Sequence, residues 1–102
     1  MVRIAKSKIA RKEKSDLLYK AIMTLESEEE CYRFFQDLCT ISELRSMEQR
    51  FEVAKLLSDG MIYTDILDRT GASSATISRV NRSLLGGTGG YEGVLEKLKE
   101  KE

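Results

Sequence analysis

"GASSATISRVNR", residues 71–82, decides how the rest of the chain is read. A glycine opens it, small side chains follow, and two β-branched apolar residues, Ile77 and Val80, sit three apart. Ser73 is a strong helix N-cap, so the spacing predicts a helix from Ser74 to about Leu85. Ile77, Val80 and Leu84 recur at i, i+3 and i+7, the period of one buried helical face. The opposite face then carries Ser74, Ala75, Thr76, Ser78, Arg79 and Arg82. Upstream, a short helix is expected from Tyr63 to Arg69, with Ile66 and Leu67 presented to the second helix. Gly71 ends it, because glycine tolerates the left-handed backbone that a tight turn demands. Two short helices joined through a glycine, the second opened by serine, form a helix-turn-helix over residues 63–85.

The outward face has a chemistry of its own. Small residues at the start of a helix let it enter a DNA major groove, about 12 Å wide. Serine and threonine hydroxyls donate to phosphates or bases, and an alanine methyl can touch thymine. Arginines reach phosphates, and the helix N-terminus adds a positive dipole. The plain alternative is a helical hairpin inside a bundle. Leu67 speaks for that alternative, since close helix crossing favours a smaller residue there.

Outward from this motif the chain reads as helix throughout. Leu17, Leu18, Ala21, Ile22 and Leu25 predict a first helix from about Lys14 to Leu25. Ser27 with Glu30 fits a capping box, and Cys31, Phe34, Phe35, Leu38 and Cys39 follow as an apolar stripe. Thr40 with Glu43 fits a second box before Leu44, Met47, Phe51, Ala54 and Leu57, and Gly60 stands where a helix ends. "GGTGG", residues 86–90, lacks the lysine and the strand of a phosphate loop and reads as a linker. A last helix starts near Tyr91, with Val94, Leu95 and Leu98 on one face. The expectation is an all-α subunit of six helices. A basic arm occupies residues 1–13 and one helical domain residues 14–102.

Composition narrows the function. The 102 residues suit a single domain and carry no net charge. The charge is unevenly spread. Residues 1–20 hold seven basic and two acidic side chains, whereas residues 26–59 hold nine acidic and four basic ones. Basic arms often meet phosphates, so Arg3, Lys6, Lys8, Arg11 and Lys12 are expected to add affinity without specificity. Histidine is absent, which removes histidine-based nucleophile activation and imidazole metal ligands. No cofactor, metal or catalytic residue is expected, and the chain does not read as an enzyme. Cys31 and Cys39, eight apart on one helix, lie roughly 12 Å from each other. A disulfide needs Cα atoms within about 7 Å, so both read as buried apolar thiols. No stretch of about 18 apolar residues spans a membrane. The N-terminus lacks the apolar region of a signal peptide, and the cytoplasm is the expected compartment.

"ASSATISRVNRSL", with "MIYTDILDRTG" and "TISELRSMEQRFEVAKLLSDG" before it, resembles the Trp repressor family, most closely its YerC/YecD branch. The resemblance spans about residues 25–100. It implies an intertwined homodimer of all-α subunits that binds double-stranded operator DNA. By that analogy Ser74, Ala75 and Thr76 face bases and Ser78 meets a phosphate, while Tyr63 and Thr64 touch the DNA backbone. Thr40, Arg50, Arg79 and Ser83 match the family's effector pocket. Two positions depart from it. Val80 replaces a glycine that gives an indole access to the backbone, and Asp37 stands where the pocket is apolar. A branched Cβ and a charge both oppose an indole, so tryptophan is not the expected effector, and a different small-molecule effector, or none, stays open. The plain alternative for Arg50 and Arg79 is pairing with the acidic middle segment.

Two functions therefore compete: a sequence-specific DNA-binding regulator, in repressor form, and a helical dimeric module that binds a protein without DNA. Salt separates them, because phosphate binding weakens steeply as counterions are added.

Overall fold

Six helices follow one another: α1 (Glu13–Ile22), α2 (Glu28–Leu38), α3 (Ile41–Ser58), α4 (Tyr63–Thr70), α5 (Ser74–Gly86) and α6 (Gly90–Lys101). These come from a computed structural model that describes residues 13–101. No strand occurs among the described residues, and the fold is all-α as expected. The arm residues Arg3, Lys6, Lys8, Arg11 and Lys12 lie outside the described residues. The chain divides into two units, residues 1–40 and 41–102.

In the first unit, α1 ends earlier than its apolar period suggests. Thr24 turns the chain: its Oγ1 donates to the Ala21 carbonyl at 2.7 Å. The Leu25 N–H donates to Ile22 at 3.1 Å, an i→i+3 bond that tightens the last turn. Met23, Thr24 and Leu25 thus leave the helix. Ser27 caps α2, its Oγ accepting from the Glu30 N–H at 3.0 Å. The Glu30 carboxylate reaches back one residue further than a capping box requires, and Glu26 N–H donates to it at 2.8 Å. Phe34 and Phe35 meet edge to face, with ring centroids 5.3 Å apart. None of α2 is buried. Cys31 and Cys39 are half-buried free thiols rather than core residues, because the stripe they share is not covered within one chain.

In the second unit, α3 ends in a Schellman motif. The Met61 N–H donates to Leu56 and the Gly60 N–H to Leu57, each at 3.0 Å, with Gly60 at φ 91°. Val53, Ala54, Ile66, Ala72, Ile77 and Val80 form the core, with Leu56, Leu57, Met61 and Tyr91 packed against it. Burying a side chain such as Ile66 or Ile77 contributes about 1.5–3 kcal/mol. The expected α3 stripe holds, with Ala54 in the core and Leu57 against it, and Val53, which the spacing did not single out, joins Ala54 at the centre.

Two helix faces differ from expectation. Neighbours on a helix point about 100° apart. With Ile66 turned fully inward, Leu67 swings out and is 41% exposed, so it does not crowd the crossing of α4 and α5. In α6 the inward pair is Tyr91 and Leu95, while Val94 and Leu98 remain exposed. The Tyr91 ring lies 6.3 Å from that of Phe51. The glycine linker is shorter than drawn, for Gly86 closes α5 and Gly90 opens α6. Gly87 is obligatory, because a Cβ there would collide with the Ser83 carbonyl oxygen.

Candidate nucleic-acid interface

The turn between α4 and α5 is held from three sides. Gly71 takes the left-handed conformation, φ 75° and ψ 5°, and its N–H donates to Leu67 at 2.9 Å. Any L-residue there would cost about 1–2 kcal/mol. Thr70 Oγ1 donates to the Ile66 carbonyl at 2.8 Å and accepts from the Ala72 N–H at 3.0 Å. From α3, Gln49 Nε2 donates to the Thr70 carbonyl at 3.2 Å. The angle at which α5 leaves the turn is thereby fixed by α3 as well as by the turn itself.

Ser73 then caps α5. Its Oγ accepts from the Thr76 N–H and donates to Thr76 Oγ1, both at 3.1 Å. That second bond leaves the Thr76 hydroxyl hydrogen for an external acceptor. Among the described residues nothing accepts from the N–H of Ser74 or Ala75, so two backbone donors face outward at the positive end of the helix. Ile77 and Val80 are buried, which turns Ser74, Ala75, Arg79 and Arg82 to solvent with Thr76 and Ser78 half-buried. Tyr63 and Thr64 are exposed at the start of α4. Small residues, hydroxyls, free N–H groups and arginines on one open helix form a surface suited to a groove and its phosphates.

Sharing Thr76 and Arg79 with this face is a half-open cavity of about 370 Å³. Ser46, Gln49 and Arg50 come to it from α3, Thr76, Arg79, Val80 and Ser83 from α5, and Tyr91 from α6. Arg50, Arg79 and Ser83, named from the sequence, are thus brought together. Thr40 belongs to the first unit and is exposed there, as is Asp37 on α2. Ser46, Gln49 and Tyr91 escaped the sequence reading, as did the place of Thr76 on both the outward face of α5 and the cavity wall. A signal existed: Ser46, Gln49 and Arg50 stand at i, i+3 and i+4, and Thr76, Arg79, Val80 and Ser83 at i, i+3, i+4 and i+7. Among the described residues no carboxylate pairs with Arg50 or Arg79, in contrast to Arg33 with Glu29 and Lys55 with Asp59. The carboxylates of α3 itself, Glu43, Glu48 and Glu52, thus form no ion pair with either arginine among the described residues.

Known proteins share this sequence and architecture. The family model described as Trp repressor protein matches residues 13–99. The uncharacterized protein YerC of Bacillus subtilis (strain 168) is 53% identical over 87 residues, 85% of this chain and 84% of that protein. The crystal structure of a Trp repressor candidate from Staphylococcus aureus superposes with a TM-score of 0.86 at 45% identity, covering 93% of this chain and 95% of the other. That of a TrpR-like protein from Eubacterium eligens gives 0.85 at 48% identity, over 91% and 96%.

Proposed function

The chain belongs to the Trp repressor family, and from that premise we propose that it is a homodimeric, sequence-specific DNA-binding regulator of transcription. The observation that carries the reading is the capped, open start of α5, held by the Thr70–Gly71 turn. Ser74, Ala75 and Thr76 read bases there, Ser78, Arg79 and Arg82 hold phosphates, and Tyr63 with Thr64 braces the backbone from α4. A two-fold dimer would present two such helices to half-sites about one helical turn apart, the spacing known for helix-turn-helix dimers, the Trp repressor included.

Dimerisation is supported by exposed apolar side chains in the first unit. Leu17 is 74% exposed, Met23 81% and Tyr32 62%. Apolar groups exposed to this extent mark an interface where they form one patch, and a second copy is the occupant we propose. No described helix is long and apolar enough to cross a membrane, and the cytoplasm is the compartment we assign. The cavity is the effector site in this reading, and the role is regulatory rather than enzymatic. Tryptophan does not suit it: seven of the eight lining residues carry a polar group, and the eighth, Val80, places a branched side chain on the wall.

The test is selection of bound sequences from random duplex DNA, followed by the salt dependence of the selected duplex. A single recovered motif with two-fold symmetry and a steep negative salt slope is expected. Recovery of no motif, or affinity indifferent to salt, overturns the reading in favour of a protein-binding module.

A further inference from the structure

We infer that the cavity between α3 and α5 binds a small dianion, a dicarboxylate or a phosphate, and that this ligand releases DNA by competing for Arg79 and Thr76. The inference rests on the regulatory reading above. It starts from charge. Arg50 on α3 and Arg79 on α5 line one cavity, and no carboxylate among the described residues pairs with either, although the chain holds 17 acidic side chains. Both arginines are exposed at the cavity, and with no Asp or Glu on the wall the lining is net positive, which favours an anion. Their planar forks match carboxylate and phosphate oxygens in pairs. The rest of the wall supplies hydrogen bonds rather than apolar cover: the Gln49 amide and the hydroxyls of Ser46, Ser83 and Tyr91. A ligand with oxygens at both ends satisfies that wall, and a flat apolar ring does not. The volume, about 370 Å³, suits a small metabolite.

The regulatory sign follows from shared residues. Thr76 and Arg79 stand on the cavity wall and on the face that α5 turns toward a duplex. An Arg79 engaged by a dianion has no charge left for a DNA phosphate. The anion also repels the duplex across the same opening. Coupling between two binding sites is reciprocal, so DNA must weaken the anion as the anion weakens DNA.

The experiment is calorimetry on the full chain without DNA, using succinate and inorganic phosphate at pH 7.5 and constant ionic strength. Monomethyl succinate and L-tryptophan serve as comparators. Saturable binding of succinate or phosphate, one per chain, is expected, at least tenfold tighter than either comparator; the tighter of the two identifies the source. Arg50→Gln should weaken it tenfold or more and Arg50→Lys less, with both variants melting like the parent. No binding below about 5 mM, equal binding of a comparator, or an unaffected Arg50→Gln overturns the inference. A second arm measures the selected duplex at constant ionic strength with the anion at ten times its dissociation constant. Exclusive binding raises the duplex dissociation constant about elevenfold. An unchanged or tighter duplex overturns the competition. A protein that binds no duplex overturns the regulatory reading and the competition with it, whereas the calorimetric arm is read independently of DNA.

Discussion

Residues 41–102 and residues 16–40 solve the same problem differently. The later unit surrounds Ile66, Ile77 and Val53 with its own helices, and none of these is accessible to solvent. The earlier unit has a comparable supply of apolar side chains and buries none of them fully. The difference teaches where each unit finds its stability. The helix-turn-helix is built by contacts within one chain, which lets α5 keep a fixed angle. The first unit half-buries Phe34 and Phe35 and leaves Leu17, Met23 and Tyr32 mostly exposed, so in the proposed dimer a second copy would complete its burial.

The largest test of this contrast is Ile77→Ala. A fully buried isoleucine at the centre of the second unit should cost about 2–5 kcal/mol, transfer and cavity together. Denaturant unfolding at fixed protein concentration measures it. A loss under 1 kcal/mol would mean that the second unit is not held by its own core. Next in size is Leu17→Asp in α1. If a second copy covers Leu17, the substitution forfeits about 1.5–3 kcal/mol of apolar burial at each site and adds a charge there. The dimer dissociation constant should rise at least tenfold, as sedimentation equilibrium would show. A parent chain that sediments as a monomer at micromolar concentration breaks the comparison outright.

The same contrast explains what was legible in the sequence. Caps and turns are local, so Ser27, Gly60, Gly71 and Ser73 were readable from a few neighbours, and the six helices followed. Which flank of a helix turns inward is a tertiary matter. Ile66 and Leu67 are adjacent and similarly apolar, and only the packing of α4 shows that Leu67 is the outer one. Val94 and Leu98 misled in the same way, because α6 docks through Tyr91 and Leu95. The end of α1 was missed because apolar spacing carried on past Thr24, whose hydroxyl takes the Ala21 carbonyl. The thiols of Cys31 and Cys39 were expected in a core that one chain does not build around α2. In the cavity, Arg50, Arg79 and Ser83 came from the family resemblance, but Ser46, Gln49 and Tyr91 are commonplace residues until α3, α5 and α6 bring them together.

A smaller effect probes the outer face of the second unit, where no core energy is at stake. Thr76→Ala should change preference among duplexes by about 1–3 kcal/mol at one base position, the worth of a good base contact. Arg82→Ala should weaken all duplexes alike and reduce the salt slope by about one. Competition binding over a panel of single-base variants and several salt concentrations separates the two. Parent-like behaviour of both variants would remove α5 from the groove.

The finest comparison sets one serine against the other. Ser27 and Ser73 cap α2 and α5 with the same bond, an Oγ accepting from the N–H three residues on, at 3.0 and 3.1 Å. Alanine at either position should cost about 1 kcal/mol. The consequences should nevertheless diverge. Ser27→Ala weakens a helix with no buried residue, so its cost should show in dimer dissociation and shrink as protein concentration rises. Ser73→Ala also removes the donor to Thr76 Oγ1, freeing that side chain to rotate at the start of the groove-facing helix. It should therefore alter duplex preference at the base position that Thr76→Ala alters, which Ser27→Ala should not. Equal shifts in duplex preference from both serines would show that the two units are not separate in their stabilities, and that α2 sets the orientation of α5.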